Sequence, residues 1–270
     1  MKLQIATPIL YVAIFSGCIT NVVEQVADRY AYASGKGVSS LSFDASIYRE
    51  TFNVQGGTND TLIGHAIFSL WAHGADQANQ IAQNLNLYWT VDTLHKTELI
   101  TDSPVSQKEL ISISTMAVTV PPQTKLTIST TTNDVNVKDM KSDLNIEGTT
   151  SNITFNTRGR VTIKTTTGAT NGTTTLGGSI EATTGDMNIS VPSKLFESIY
   201  SKATTGNVSI RIAGGAGVTF HLATSTGKLS VSYDGVSQTS YSASMDLTVN
   251  GGGKVVSVQT TTGNISIVNY

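Results

Sequence analysis

From Leu126 onward the chain alternates apolar and polar positions in short runs, each broken by the same kind of polar corner. Leu126/Ile128, Leu144/Ile146, Val161/Ile163, Phe220/Leu222 and Val256/Val258 precede a corner, while Val135/Val137, Ile153/Phe155, Met187/Ile189, Leu229/Val231 and Ile265/Ile267 follow one. A period of two places one face of each run inside and the other in solvent, so these are half-buried strands. The best corner is Thr204-Thr205-Gly206-Asn207, and its third position recurs as Asn133 (before Asp134), Ser151, Gly168, Gly185, Gly227 and Gly263. Successive spacings are 18, 17, 17, 21, 21 and 36 residues. The last gap is twice eighteen, which predicts a degenerate eighth corner at Ala243-Ser244-Met245-Asp246, with Met245 in the glycine position.

Self-similarity at a nearly fixed period is the mark of a stacked repeat, because one unit cannot bury its apolar face alone. A glycine supplies φ > 0 at a corner, and a following Asp or Asn suits a turn. Two architectures satisfy the pattern, a solenoid and an antiparallel meander, and the near-constant unit length favours the first. The expected fold is all-β: a repeat-built β-solenoid (a single-stranded β-helix of about eight coils of 17–21 residues) with an N-terminal β-rich cap containing one short helix.

Before the repeat, alternation predicts strands near 41–47, 62–71, 85–91, 98–101 and 110–120, stopped by Pro121-Pro122, which cannot continue a ladder. Ala75, Ala78, Ile81 and Ala82 share one helical face, predicting a helix over 75–84. The expected division is a signal peptide over 1–17, an anchor and tether over 18–36, a β-rich cap over 37–120 and repeats over 121–270.

Charge adds mainly exclusions. With 17 Lys+Arg against 19 Asp+Glu, there is no basic stripe for a phosphate backbone, and no nucleic-acid partner is expected. Cys18 is the only cysteine, which removes intramolecular disulfides and thiolate clusters. Its place matters more: Met1-Lys2, the apolar stretch Leu3 to Phe15 and the small pair Ser16-Gly17 have the form of an export signal too short for a good membrane span.

Phe15-Ser16-Gly17-Cys18 resembles the lipobox of bacterial lipoproteins, although Phe15 stands where that family usually has Leu. The resemblance implies cleavage before Cys18 and acylation of it. Several acyl chains on one residue would hold the chain stably on a membrane. The repeated Thr-Thr-x-Gly-Asp/Asn-[Val/Ile]-x-[Val/Ile] coils, with the segment Ala75 to Leu85 and the run Val118 to Leu126, resemble the "putative adhesin" family of bacterial envelopes over about residues 60–270. That resemblance implies a β-helical domain of mostly unknown function, with no catalytic residues to carry over.

A search for chemistry finds little. His65, His73, His95 and His221 lack metal-ligand spacing, and no cofactor or metal is expected. Asp134, Asp139, Asp143, Asp186 and Asp246 are candidates for the acid cluster of a carbohydrate-active β-helix, but three of them occupy corner positions where other coils carry Asn. Thr-x-Thr rows such as Thr130/Thr132 and Thr165/Thr167 raise ice binding, which interruptions at Ala182 and Ala203 and the varying coil length disfavour. The expected function is therefore a non-catalytic, lipid-anchored envelope module presenting a Thr/Asn/Ser-rich face to an envelope protein or a glycan. A carbohydrate-active protein is the alternative. The end at Ile265 to Tyr270 has no polar cap, which keeps a homo-oligomer open.

Overall fold

The computed structural model describes residues 12–13, 23–45, 51–72, 74–91, 97–102 and 111–270. β1 (Val12–Ala13) and β2 (Val23–Ser34) precede a first coil made by β3 (Ser40–Asp44) and β4 (Phe52–Gly56). β5 (Thr61–Ala72), α1 (Ala75–Asn84), the antiparallel pair β6 (Asn86–Val91) and β7 (Thr97–Asp102), and β8 (Ile111–Val120) then interrupt the stack. It resumes with coil two, β9 (Lys125–Thr130) and β10 (Val135–Met140), and coil three, β11 (Leu144–Thr150) and β12 (Ile153–Thr157). Coil four is β13 (Val161–Thr167) and β14 (Thr170–Thr174), coil five β15 (Gly177–Thr184) and β16 (Met187–Val191), and coil six β17 (Ser198–Thr205) and β18 (Val208–Ile212). Coil seven is β19 (Val218–Thr226) and β20 (Leu229–Tyr233); β21 (Val236–Ser240) and β22 (Ser244–Val249) follow, and β23 (Lys254–Thr262) and β24 (Ile265–Asn269) form coil eight.

The second strand of every coil joins a 13-stranded sheet, here sheet A, and the first strand joins a 9-stranded sheet B. Between the sheets lies one continuous core. Val135, Ile153, Met187, Val208 and Ile265 stack on its sheet A side, and Leu126, Leu144, Val161, Ile199 and Val256 on its sheet B side, all within 2% of full burial. In-register parallel pairing, such as Ile146 with both Ile128 and Ile163, converts the alternation into apolar ladders. The expected solenoid is the observed fold.

Its stacking order departs from chain order. β23 pairs with β17 on one side and β19 on the other, and β24 lies between β18 and β20. Coil eight is thus threaded between coils six and seven. After β20 the chain reverses at Asp234-Gly235, with φ of 47° and 78°, the left-handed pair of a type I′ hairpin. β21 then runs antiparallel to β20, and β22 antiparallel to β19.

This return overturns the degenerate corner. The 36-residue gap holds one antiparallel coil, and Met245 lies inside β22 opposite Leu222, buried to 4% exposure; the segment joining β21 to β22 is 241–243. The end of the stack is also not Tyr270. The antiparallel coil closes it with exposed Ser237, Gln238 and Thr239, polar positions that suit an open sheet edge.

Two domain boundaries move as well. The segment expected as a tether contains β2, which pairs with β5 along twelve residues. Ala27 and Ala31 face inward there, too small to announce a strand, while Tyr30 and Tyr32 face outward. Likewise the solenoid starts within the expected cap, since β3 pairs in parallel with β9 and β4 with β10. Helix α1 covers the predicted residues and buries Ala78, Ile81 and Ala82. Arg29 on β2 reaches its C-terminal carbonyls, donating from Nε to Leu85 at 3.0 Å and from a terminal nitrogen to Ala82. Burial lowers the Arg29 pKa from its ordinary value, with Asp28 opposing that shift.

Candidate binding face

The corners between sheet B and sheet A explain why the repeat needs its residues. Asn133, Ser151, Gly168, Gly185, Gly206, Gly227 and Gly263 all stand there. The five glycines have φ between 128° and 157°, and a Cβ on each would lie 2.0–2.1 Å from the corner carbonyl oxygen of the neighbouring coil. Gly168 meets Ser151, Gly185 meets Gly168, Gly206 meets Gly185, Gly263 meets Gly206 and Gly227 meets Gly263, an order that traces the threading independently of the strands. Asn133 and Ser151 occupy the first two corners without positive φ, and the Asn133 amide donates to the Ala45 carbonyl of coil one at 2.5 Å.

At five of the seven corners an Asp or Asn follows and is an acceptor for the next coil, while Ala169 and Lys228 follow the other two. Oδ1 of Asp134 accepts from the backbone N–H of Asn152 at 2.8 Å, Asn152 from Ala169 at 3.0 Å, Asp186 from Asn207 at 2.7 Å, Asn207 from Asn264 at 3.0 Å and Asn264 from Lys228 at 2.9 Å. The backbone N–H needs only Oδ1, which Asp and Asn both carry, so the two interchange there; the Asn152 side-chain amide adds bonds to both Asp134 oxygens at 3.1 and 3.3 Å. Asp134→Asn is expected to stay within about 0.5 kcal/mol of wild type in urea denaturation, while Asp134→Ala costs about 1 kcal/mol. Equal costs would remove the acceptor role.

The first threonine of each Thr-x-Thr row turns inward. Thr130 donates to the Asn133 carbonyl at 3.2 Å, Thr165 to Thr167 at 3.3 Å, Thr224 to Gly263 at 3.1 Å and Thr260 to Gly206 at 3.3 Å. What faces solvent is the second threonine of those rows, in Thr150/Thr167/Thr184/Thr205/Thr262, together with the row before it, Thr149/Thr166/Thr183/Thr204/Thr261. Beside them, paired register lines up Asp44, Ser129, Glu147, Lys164, Glu181, Lys202 and Gln259. Thr149, Thr166, Thr183 and Thr204 of the first row and the charged row line a shallow open trough of about 920 Å³ on the outer side of sheet B, running from Asp44 and Ser42 to Lys202 and Thr204.

A profile of the Toastrack DUF4097 family matches residues 82–268, from within α1 to near the end of β24. The chain belongs to the Toastrack DUF4097 family. The matched part leaves out β2, coil one and β5. Solved structures resemble the chain at low identity. One from Bacteroides fragilis, described as a putative adhesin, is 11% identical with a TM-score of 0.46, covering 90% of this chain and 97% of the other. Another so described, from Parabacteroides distasonis, is 12% identical with a TM-score of 0.48 over 90% and 97%. A putative cell adhesion protein from Clostridium sporogenes is 10% identical with a TM-score of 0.36 over 91% and 100%. Comparison with curated proteins finds no match.

The five aspartates of this Toastrack chain that suggested an acid cluster do not converge. Asp134 and Asp186 serve corners on one side of the coils, and Asp143 accepts from the Arg160 N–H at the opposite side. Asp139 has φ 55° and accepts from Gln55 at 2.6 Å, and Asp246 sits on β22. Among the described residues no three His, Cys, Asp or Glu gather as a metal site, and no helix is long and apolar enough to cross a membrane. Phe15, Ser16, Gly17 and Cys18, with His73 and His95, lie outside the described residues.

Two His–Asp pairs emerge that the sequence hid, since both join residues across antiparallel strands. His221 Nδ1 lies 2.6 Å from Asp246 Oδ1, and His65 Nε2 lies 2.8 Å from Asp28 Oδ1. His65 also stacks on Tyr30 with ring centroids 4.2 Å apart and planes 2° from parallel. Burial raises the Tyr30 pKa, helped by the Asp28 charge and by Tyr32. Pairs of this kind stiffen a sheet surface.

Proposed function

We infer that this chain is an exported, lipid-anchored envelope protein that works by contact, without catalysis, through the outer face of sheet B. The observation that carries the reading is the trough itself: a long polar surface lined by a threonine row and a row containing charges, with the five aspartates considered for chemistry scattered elsewhere. Such a surface binds by many weak polar contacts along an extended partner, an envelope protein or a glycan. The lipobox-like Phe15-Ser16-Gly17-Cys18 supplies the anchor, at the outer membrane or on the periplasmic side.

Two measurements test it. Cys18→Ser is expected to move the protein from the membrane to the soluble fraction and to abolish incorporation of labelled palmitate; unchanged fractionation removes the anchor. Pull-down and glycan-array screening of the soluble variant are then expected to give ligands that are lost when Thr166, Thr183 and Thr204 are replaced by Glu. Retained binding would move the contact surface away from sheet B.

A further inference from the structure

We propose that the partner of the sheet B face is a second copy of this chain, bound face to face across a two-fold axis; the proposal rests on the reading of that face as the contact surface. The row along the trough runs Asp44, Ser129, Glu147, Lys164, Glu181, Lys202, Gln259, Ala223 in spatial order. Its four central members alternate in sign, −+−+. Read backwards, that series becomes +−+−, so the row is complementary to its own reversal.

A two-fold axis parallel to the strands, passing between coils four and five, performs this reversal. Glu147 then meets Lys202 of the second copy, and Lys164 meets its Glu181, each contact occurring twice as an isologous interface requires. Shifting one copy by a single coil sets like charges opposite one another and is disfavoured, so the charges fix the register.

The state of these side chains within one chain supports this. Three ion pairs occur among the described residues, His65–Asp28, Arg160–Glu197 and His221–Asp246, and none uses the central four. Glu147, Lys164 and Lys202 are exposed and Glu181 is half-exposed. Eight coils at about 4.8 Å and strands of about 18 Å give a face on the order of 700 Å² per copy, close to the ~800 Å² of a standard interface. The threonine rows map onto themselves under the same axis and supply neutral polar contact beside the charges.

Sedimentation of the purified full chain tests the proposal. Wild type is expected to dimerise, more weakly as salt rises. Lys202→Glu places a like charge against Glu147 twice and is expected to weaken the dimer at least tenfold. The fourfold inversion E147K/K164E/E181K/K202E restores alternation within and between chains, so it is expected to dimerise with itself while failing to co-purify with differently tagged wild type. A wild type that stays monomeric, an unaffected Lys202→Glu variant, or free mixing of wild-type and inverted chains would overturn the proposal. Membrane fractionation and ligand screening read the broader function separately: a monomer whose ligand binding still depends on Thr166, Thr183 and Thr204 would sink only the pairing.

Discussion

Gly206→Ala is expected to destabilise the fold by more than about 4 kcal/mol, a size reserved for a few kinds of surface or core lesion. Two costs combine there. The backbone has φ 147°, a region that side chains avoid, and the new Cβ would lie 2.1 Å from the Gly185 carbonyl oxygen. Strain of this kind alone costs on the order of 1–3 kcal/mol. The collision forces two coils apart in a stack whose spacing is set along the whole ladder, and Gly263 leans on Gly206 in the same way from the other side. Gly251→Ala provides the control: φ there is 77°, yet nothing lies within 4 Å of its added Cβ. That variant is expected to cost about 1–2 kcal/mol, the left-handed penalty alone. Urea denaturation of both decides the matter, and equal losses would show that the corner ladder contributes nothing beyond φ.

Deleting residues 254–270 is expected to have an effect of comparable size, and in a revealing place. If coils stacked in chain order, this deletion would trim one end. In the threaded order it removes an interior layer: Val256, Val258, Ile265 and Ile267 are fully buried, and β17, β18, β19 and β20 each lose a ladder partner. Burying each such side chain contributes about 1.5–3 kcal/mol, so the four together approach the whole stability of a typical domain. Coil seven and the antiparallel coil should lose protection while coils two to five keep theirs, since repeats depend chiefly on their neighbours. Limited proteolysis and hydrogen exchange are expected to find residues 218–249 open. Full protection there would mean that coil seven docks directly on coil six and that threading matters little.

The corners were legible because their residues answer to local chemistry. A glycine in a forbidden φ region, an acceptor after the corner, or both recur from coil two to coil eight, and α1 was legible from Ala78, Ile81 and Ala82. What escaped depends on partners far away in sequence. Leu41/Phe43 read as an isolated strand and Phe52/Val54 as none, since β5 through β8 separate coil one from coil two. β2 escaped because Ala27 and Ala31 face the core, inverting the usual contrast with its outward tyrosines. Threading could not be read at all: Phe220/Leu222 and Val256/Val258 are equally good neighbours for Ile199 and Ser201, so no local signal ranks coil eight ahead of coil seven. The Asp234-Gly235 pair was a readable hairpin signal, and taking the 36-residue gap as two like coils concealed it.

The outer face of sheet B was legible only as composition. Threonine abundance marked a polar surface, but which threonines line it depends on the side of the strand each occupies, and Thr130, Thr165, Thr224 and Thr260 turned out to be internal fasteners. Likewise the alternation of Glu147, Lys164, Glu181 and Lys202 spans residues 17 to 21 apart and becomes a row only once the coils are stacked.

Mechanical force finds an unusual path through this stack. A stretch of chain lying at the end of a solenoid can be peeled away one hydrogen bond at a time. Coil eight is gripped along both flanks, so tension applied at Tyr270 must shear two ladders in each sheet before the strand slides free. Tension drawn through the C-terminal side therefore meets its strongest resistance at the outset, and the segment farthest along the chain is among the most firmly held.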